Sequence, residues 1–218
     1  TVRNLTNFAT STITRGVQPN CIRAWTRRLP YCIKFFRVFA SFGTRLSDNT
    51  EERQWRKYVH RAINVRNRNP DLPSHTCRLC KNATESMIHL TTCTQLKPFW
   101  DATFTFIEHG LRCPRPFHRP RAIILGQWGP RDAPDALGPE EARAFLRHSF
   151  NALYHDFANV DLKNSPFLWE HAHYTALKTF LQATRRRGHT FKLLHTSRYD
   201  TSLPVSYTHL RAHETTSD

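Results

Sequence analysis

Four candidate metal ligands lie between residues 77 and 93 of this chain. Cys77 and Cys80 form a C-x2-C pair, and after eight intervening residues His89 and Cys93 form an H-x3-C pair. A C-x2-C turn brings two thiolates to one ion, and residues i and i+4 share one face of a helix. Three thiolates and one imidazole form a tetrahedral ligand set that Zn²⁺ prefers. The spacing predicts a structural zinc site, because four protein ligands leave no open coordination position.

The residues between the ligands fit this interpretation. We expect Asn82 or Thr84 to cap the helix that carries the second ligand pair. Glu85 is expected in the first turn of that helix or as an acceptor that orients a ligand, and Ile88 and Leu90 are expected to anchor the helix. The segment is short and has few large aliphatic side chains between the ligands, so it should need a metal to fold.

The composition predicts a globular, strongly basic protein. Lys and Arg outnumber Asp and Glu by 32 to 17, which gives a net charge of +15 and favours a polyanionic partner, RNA or DNA. No apolar run is long enough for a membrane span and no cleavable signal pattern opens the chain, so we expect reduced thiols in the nucleus or cytoplasm and no membrane partner. Cys21, Cys32 and Cys113 lack metal-ligand spacing and are expected to be ordinary thiols.

Both ends of the sequence indicate a fragment. The chain begins with Thr1, and its only Met is Met87. The stretch Val205 to Thr215 reads VSYTHLRAHET, which matches the translation of a transposon-end sequencing adaptor, so we expect the natural coding sequence to end near Pro204. Residues 205–218 are therefore not expected to contribute to function. The basic character does not depend on them, because they hold one Arg against one Glu and one Asp.

The remaining sequence predicts a mainly α-helical fold: a small zinc-stapled helical module plus a C-terminal helical hairpin. We divide the chain into an irregular basic N-terminal segment (1–48), a helix plus the zinc-binding module (49–112), a proline-rich connector (113–138), a helical hairpin (139–204) and the adaptor-like tail (205–218). The connector is the expected boundary between two lobes.

Helical periodicity marks the individual elements. A broken helix is expected over Arg23 to Phe39, a helix from Pro98 through His109, and a second hairpin helix from Pro166 to Arg187. Ala122 to Leu125 reads as an isolated strand or a buried loop. An amphipathic helix begins near residue 49, with the following apolar face: Trp55, Tyr58, Val59, Ala62 and Ile63. The first hairpin helix is expected to bury this stripe: Ala142, Phe145, Leu146, Phe150, Leu153, Tyr154 and Phe157.

The densest basic cluster lies on and after the helix around Trp55. It is the candidate nucleic-acid-binding surface, and its members are Arg53, Arg56, Lys57, Arg61, Arg66 and Arg68. Trp55 and Tyr58 are interleaved with these cations and are expected to pack in a core more readily than to stack on bases. The alternative is that the cluster is only a solvated helix face.

The ligand motif, followed by a Trp seven residues after Cys93, resembles the zinc-binding domain associated with reverse transcriptases of non-LTR retrotransposons. In that family an amphipathic helix with a Trp lies upstream, as the helix around Trp55 does here, and Trp100 matches the aromatic residue after the last Cys. The resemblance covers about Arg53 to Trp100, and it implies that Cys77, Cys80, His89 and Cys93 hold zinc. It further implies a role in holding template RNA or target DNA beside a polymerase. The Arg- and Asn-rich loop before Cys77 departs from the family's pattern.

The chain itself is expected to be non-catalytic, since it contains no aspartate pair of the polymerase type. A restriction-like endonuclease fragment is one alternative, because Pro134, Asp135, Asp161 and Lys163 form a P-D … D-x-K pattern. Such a nuclease would need both aspartate carboxylates to bind one metal ion, and it would need Asp161 to lie on a strand. In this sequence Asp161 instead follows a helical stripe. A stand-alone RNA-binding zinc protein of the knuckle type is the other alternative, although such proteins have shorter ligand loops.

Overall fold

The architecture is mainly helical, as the sequence predicts. The computed structural model describes residues 20–29, 49–63, 65–130, 136–163 and 166–186. Across these ranges there is no β-strand, and pairing is limited to two isolated bridges, Thr76 with Thr84 and Gln127 with Leu137. The α-helices are α1 (Asn20–Arg28), α2 (Asn49–Val59), α3 (His89–Thr92), α4 (Lys97–Thr105), α5 (Arg119–Leu125), α6 (Glu140–Lys163) and α7 (Trp169–Arg186). Short 3-10 turns cover Arg66–Arg68 and Thr94–Leu96, and a π-helical turn covers Phe106–Gly110.

The two C-terminal helices, α6 and α7, form the most extensive helix pair of the fold. Their contact is aromatic, since Phe145 and Phe180 meet edge to face with ring centroids 5.3 Å apart. The predicted stripe of α6 is buried except for Tyr154, which is half-buried. Helix α7 begins at Trp169, and Pro166 precedes it by three residues. The hairpin therefore buries its own apolar stripe, as the 3.6-residue period predicts.

Helix α2 attaches to the hairpin through its apolar face. Trp55, Tyr58, Val59 and Ile63 are all buried, and the Tyr58 ring stacks on Phe150 with centroids 3.9 Å apart. The expectation that Ala62 belongs to this face is wrong, because α2 ends at Val59 and Ala62 is exposed. Trp55 and Tyr58 are thus core residues, and neither ring is available to stack on a base.

Helix α1 covers part of the expected broken helix over Arg23 to Phe39. It begins at Asn20 and ends at Arg28, and residues 30–48 lie outside the described ranges. Trp25 is buried at 1% exposure, and its indole N–H donates to the Val59 carbonyl at 2.6 Å. This hydrogen bond joins α1 to the C-terminal end of α2.

The expectation of a strand or a buried loop at Ala122 to Leu125 is wrong, because these residues belong to helix α5. His118 Nδ1 accepts from the Arg121 amide at the start of α5, and Gly126 ends it in the left-handed conformation (φ 67°). A run of four apolar residues is too short to show helical periodicity, so the sequence could not distinguish the two structures.

One continuous apolar core runs from Trp25 to Phe180 and includes buried residues on both sides of this segment. The division of the chain into two lobes by a connector at residues 113–138 stays a prediction. Cys113 is buried in the core, and burial raises the pKa of its thiol. No helix of the described ranges is both long and apolar enough to cross a membrane.

Candidate metal centre

The four predicted ligands converge at one point. Their ligand atoms, the sulfurs of Cys77, Cys80 and Cys93 and a ring nitrogen of His89, all lie within 4.8 Å of one another. Cys80 Sγ and His89 Nε2 lie 3.3 Å apart. Atoms at the corners of one tetrahedron around a zinc ion would be separated by about 3 to 4 Å, given metal–ligand bonds of about 2.0 to 2.3 Å. These four residues could therefore hold a metal ion.

The first ligand pair is positioned by a tight backbone loop. The Glu85 amide donates to the His75 carbonyl at 2.8 Å, and the Cys77 amide donates to the Ala83 carbonyl at 2.7 Å. Lys81 turns the chain back with a positive φ of 58°, and its amide donates to the Cys77 carbonyl at 3.0 Å. Main-chain hydrogen bonds within this loop therefore position the C-x2-C pair.

The second ligand pair is carried by the short helix α3. The Cys93 amide donates to the His89 carbonyl at 2.7 Å, which places both side chains on the same side of this turn. The expected caps are wrong: α3 begins at His89, five or more residues after Asn82 and Thr84. Ser86 takes that role, because its hydroxyl accepts from the His89 amide at 3.1 Å.

Hydrogen bonds to the Cys77 sulfur favour its thiolate form. The pKa of Cys77 is lowered to about 4, chiefly by a hydrogen bond from the Cys93 thiol and also by the amides of Cys80 and Leu79. The same contact raises the pKa of Cys93, because the two sulfurs share one proton, although the Gln95 amide also donates to the Cys93 sulfur. Backbone amides directed at sulfur are suited to thiolates that bind a cation, so the donor set and its surroundings fit a metal ion.

An unpredicted ion pair supports the ligand loop. Glu85 is fully buried and accepts two hydrogen bonds from the Arg78 guanidinium, at 2.8 and 2.9 Å. It also accepts from the amides of Arg66 and Arg78, at 2.9 and 3.2 Å. The Glu85 carboxylate thus joins the loop before the ligands to the C-x2-C turn. Sequence reasoning missed Arg78, whose only signal is its place inside that turn, seven residues before an acidic residue.

Three side chains link the candidate metal centre to the core. Tyr58 Oη donates to the Met87 carbonyl at 2.7 Å, and Trp100 Nε1 donates to the Leu90 carbonyl at 2.8 Å. The Arg78 guanidinium lies over the Phe157 ring, 4.3 Å from its centroid. The residues just before and just after His89 are therefore anchored to α2 and α4, and the C-x2-C turn is anchored to α6.

No family model matches the chain, and comparison with curated proteins and with solved structures gives no match either.

The structure separates the six cations of the predicted nucleic-acid-binding cluster into two groups. Arg53, Lys57 and Arg68 are exposed. The other three contact protein groups: Arg56 pairs with Glu52 at 3.0 Å, Arg66 donates to the Thr76 carbonyl at 3.3 Å, and Arg61 lies 6.0 Å from the Trp25 ring centroid. Of these six cations, only the three exposed ones can contact a phosphate without first breaking one of these contacts with the protein.

The nuclease pattern gains no support from the backbone. Asp161 and Lys163 belong to the last turn of α6, where the alternative requires a strand. Pro134 and Asp135 lie outside the described residues, as does the tail 205–218.

Proposed function

We propose that this chain is a zinc-stabilised, non-catalytic nucleic-acid-binding module. The observation that carries the proposal is the convergence of Cys77, Cys80, His89 and Cys93, whose ligand atoms lie within 4.8 Å. A Cys₃His set is typical of structural zinc sites, and bound zinc would supply a cross-link between the C-x2-C loop and helix α3.

Charge supports a nucleic-acid partner. The chain carries a net charge of +15, and a basic protein attracts the phosphate backbone regardless of its base sequence. Arg53 and Lys57 are exposed and lie four residues apart on α2, so they share one helix face. Trp55 and Tyr58 are buried, which leaves cations as the recognition groups of this face. Binding should therefore depend on phosphate contacts and show little sequence preference.

Two contacts support a relationship to the zinc-binding domains of non-LTR reverse transcriptases. Trp100, the aromatic residue that follows the last ligand in that family, donates to the backbone of the ligand helix at Leu90. Tyr58, on the upstream amphipathic helix, donates to Met87 inside the motif. On this reading the module holds template RNA or target DNA beside a polymerase located elsewhere in a longer polyprotein.

The proposal is tested by the salt dependence of RNA binding. Affinity of the full chain for a single-stranded RNA oligonucleotide is measured by fluorescence anisotropy from about 50 to 200 mM salt, where several phosphate contacts are resolvable. Replacing Arg53, Lys57 and Arg68 together by Ala should reduce the slope of log affinity against log salt by about 2, since each contact on a single strand contributes about 0.7. Bound zinc should stay unchanged, because none of the three is a ligand.

A matched variant separates a specific surface from general charge. Lys178, Arg185 and Arg186 are exposed on α7, so their replacement by Ala removes the same charge from another surface. The slope should then change much less. Equal effects of the two triple variants on the slope would show that only net charge matters. If the unmodified chain shows no salt-dependent RNA binding, the proposed function is rejected.

A further inference from the structure

A pocket lined by four arginines lies where α1 meets the end of α2. Its volume is about 380 Å³, and the described residues that line it are Arg23, Ala24, Arg27, Arg28 and Arg61. The first four residues occupy positions i, i+1, i+4 and i+5 of α1, so they form one helix face. Trp25 and Leu29 form the buried face of the same helix. Burial of this second face therefore fixes the direction in which the arginine face points.

The fourth arginine is supplied by the chain turn that ends α2. The Ala62 amide donates to the Lys57 carbonyl at 2.6 Å and the Arg61 amide donates to the Tyr58 carbonyl at 2.9 Å, the hydrogen-bond pattern of a Schellman cap. Arg61 occupies the left-handed position of this cap with φ 58°, where glycine is usual because a side chain is strained there. This backbone strain therefore falls on a residue whose side chain lines the pocket.

Helix capping alone does not account for the pocket. Arg27 and Arg28 lie in the last turn of α1, where cations interact favourably with the helix dipole. Arg23 lies a full turn earlier, and Arg61 comes from a different element. None of the five lining residues is acidic, so the pocket concentrates positive charge that its own lining does not neutralise.

We infer that this pocket binds a phosphate group of the nucleic-acid backbone. This inference rests on the proposed function and adds to the predicted surface three residues outside it, Arg23, Arg27 and Arg28. Phosphate is the favoured ligand because the guanidinium fork matches its oxygens and because Ala24 is the one described lining residue that is not an arginine.

Substitutions at residue 61 test the pocket without damaging the fold. In Arg61→Gly the side chain is lost while the backbone strain is relieved, and in Arg61→Asn the charge is lost while a left-handed conformation is still tolerated. Both variants should have a melting temperature equal to or above that of the unmodified chain. Each should bind inorganic pyrophosphate about tenfold more weakly, by calorimetry, and show an RNA salt slope reduced by about 0.7. Arg23→Gln with Arg27→Gln should weaken pyrophosphate binding further, to about a hundredfold.

The two probes separate the possible failures. Loss of pyrophosphate binding with unchanged RNA binding would identify a site for free phosphates and overturn the assignment to nucleic acid. Unchanged binding of both probes in all variants would overturn the pocket itself, while RNA binding that still depends on Arg53, Lys57 and Arg68 would leave the proposed function standing. If the unmodified chain binds no RNA, the proposed function and the nucleic-acid assignment both fail, whatever pyrophosphate does.

Discussion

The metal-ligand loop and the α6–α7 hairpin are stabilised by different forces. In the hairpin, Phe145, Phe150, Phe157 and Phe180 are at most 1% exposed, so apolar burial supplies its stability. In the loop from residue 74 to 86, most side chains are exposed or half-buried, and Cys77 and Glu85 are the two that are buried. The loop is held by main-chain hydrogen bonds, one buried ion pair and the four candidate ligands.

This difference predicts which perturbation each region resists. A loop with so little apolar burial cannot offset its own conformational entropy, which costs about 1 to 2 kcal/mol per residue, without a cross-link. The hairpin has no such requirement. The two regions meet where Arg78 lies over Phe157, so this contact is one route by which a disturbance in one region reaches the other.

Removal of one ligand should give the largest effect. Cys80→Ser is expected to abolish stoichiometric zinc binding, which is worth about 10 to 16 kcal/mol in structural sites, and to unfold the ligand loop. The hairpin should remain helical, because it buries its own stripe. Zinc content is measured by elemental analysis and helicity by circular dichroism.

Cys113→Ser is the matched control, because Cys113 is a buried cysteine outside the ligand cluster. It should retain zinc. Loss of all helicity in the Cys80 variant would mean that loop and hairpin form one cooperative unit, and the contrast between them would then be wrong.

Truncation inside the hairpin should destabilise the other region. Phe145→Ala is expected to lower the free energy of unfolding by about 3 to 5 kcal/mol, the usual cost of removing a buried phenyl ring. Phe145→Leu should cost clearly less, since it leaves a smaller cavity. Urea unfolding measures both variants, with zinc content as the companion reading. If Phe145→Ala loses zinc while its helices remain intact, the claim that different forces stabilise the hairpin and the loop is wrong.

Acid should destabilise the hairpin through His173. The pKa of this buried imidazole is lowered to about 4 by desolvation, and neither ring nitrogen has a hydrogen-bond partner within the described structure. The unfolded chain therefore binds the proton near pH 6.5 and the folded chain only near pH 4, so stability falls as pH drops through this window. The full loss is on the order of 3 kcal/mol.

The His173 contribution is isolated by comparison with His173→Phe, which cannot titrate. Urea unfolding at several pH values between 4 and 7 should show a weaker pH dependence in the variant. Any zinc held by the four candidate ligands is lost to protons in both proteins, so the difference between the two proteins reports His173. Equal pH dependence would show that the imidazole does not titrate between these states.

The sequence revealed those features that repeat or have fixed spacing. The stripe of α6 and the four candidate ligands that converge are predictable residue by residue, because a helical period and a ligand spacing are both properties of local sequence. Helix α5 was missed because four apolar residues show no period. The Arg78–Glu85 pair and the left-handed Arg61 depend on how separated segments pack, and no local pattern encodes that packing.

The central claim is that Cys77, Cys80, His89 and Cys93 hold one structural zinc ion. X-ray absorption spectroscopy at the zinc edge, on the full chain purified with its metal, measures this directly. The expected result is one zinc per chain with three sulfur ligands at about 2.3 Å and one nitrogen ligand at about 2.0 to 2.1 Å. A chain without stoichiometric zinc, or a zinc shell in which oxygen replaces one of these ligands, would contradict the claim.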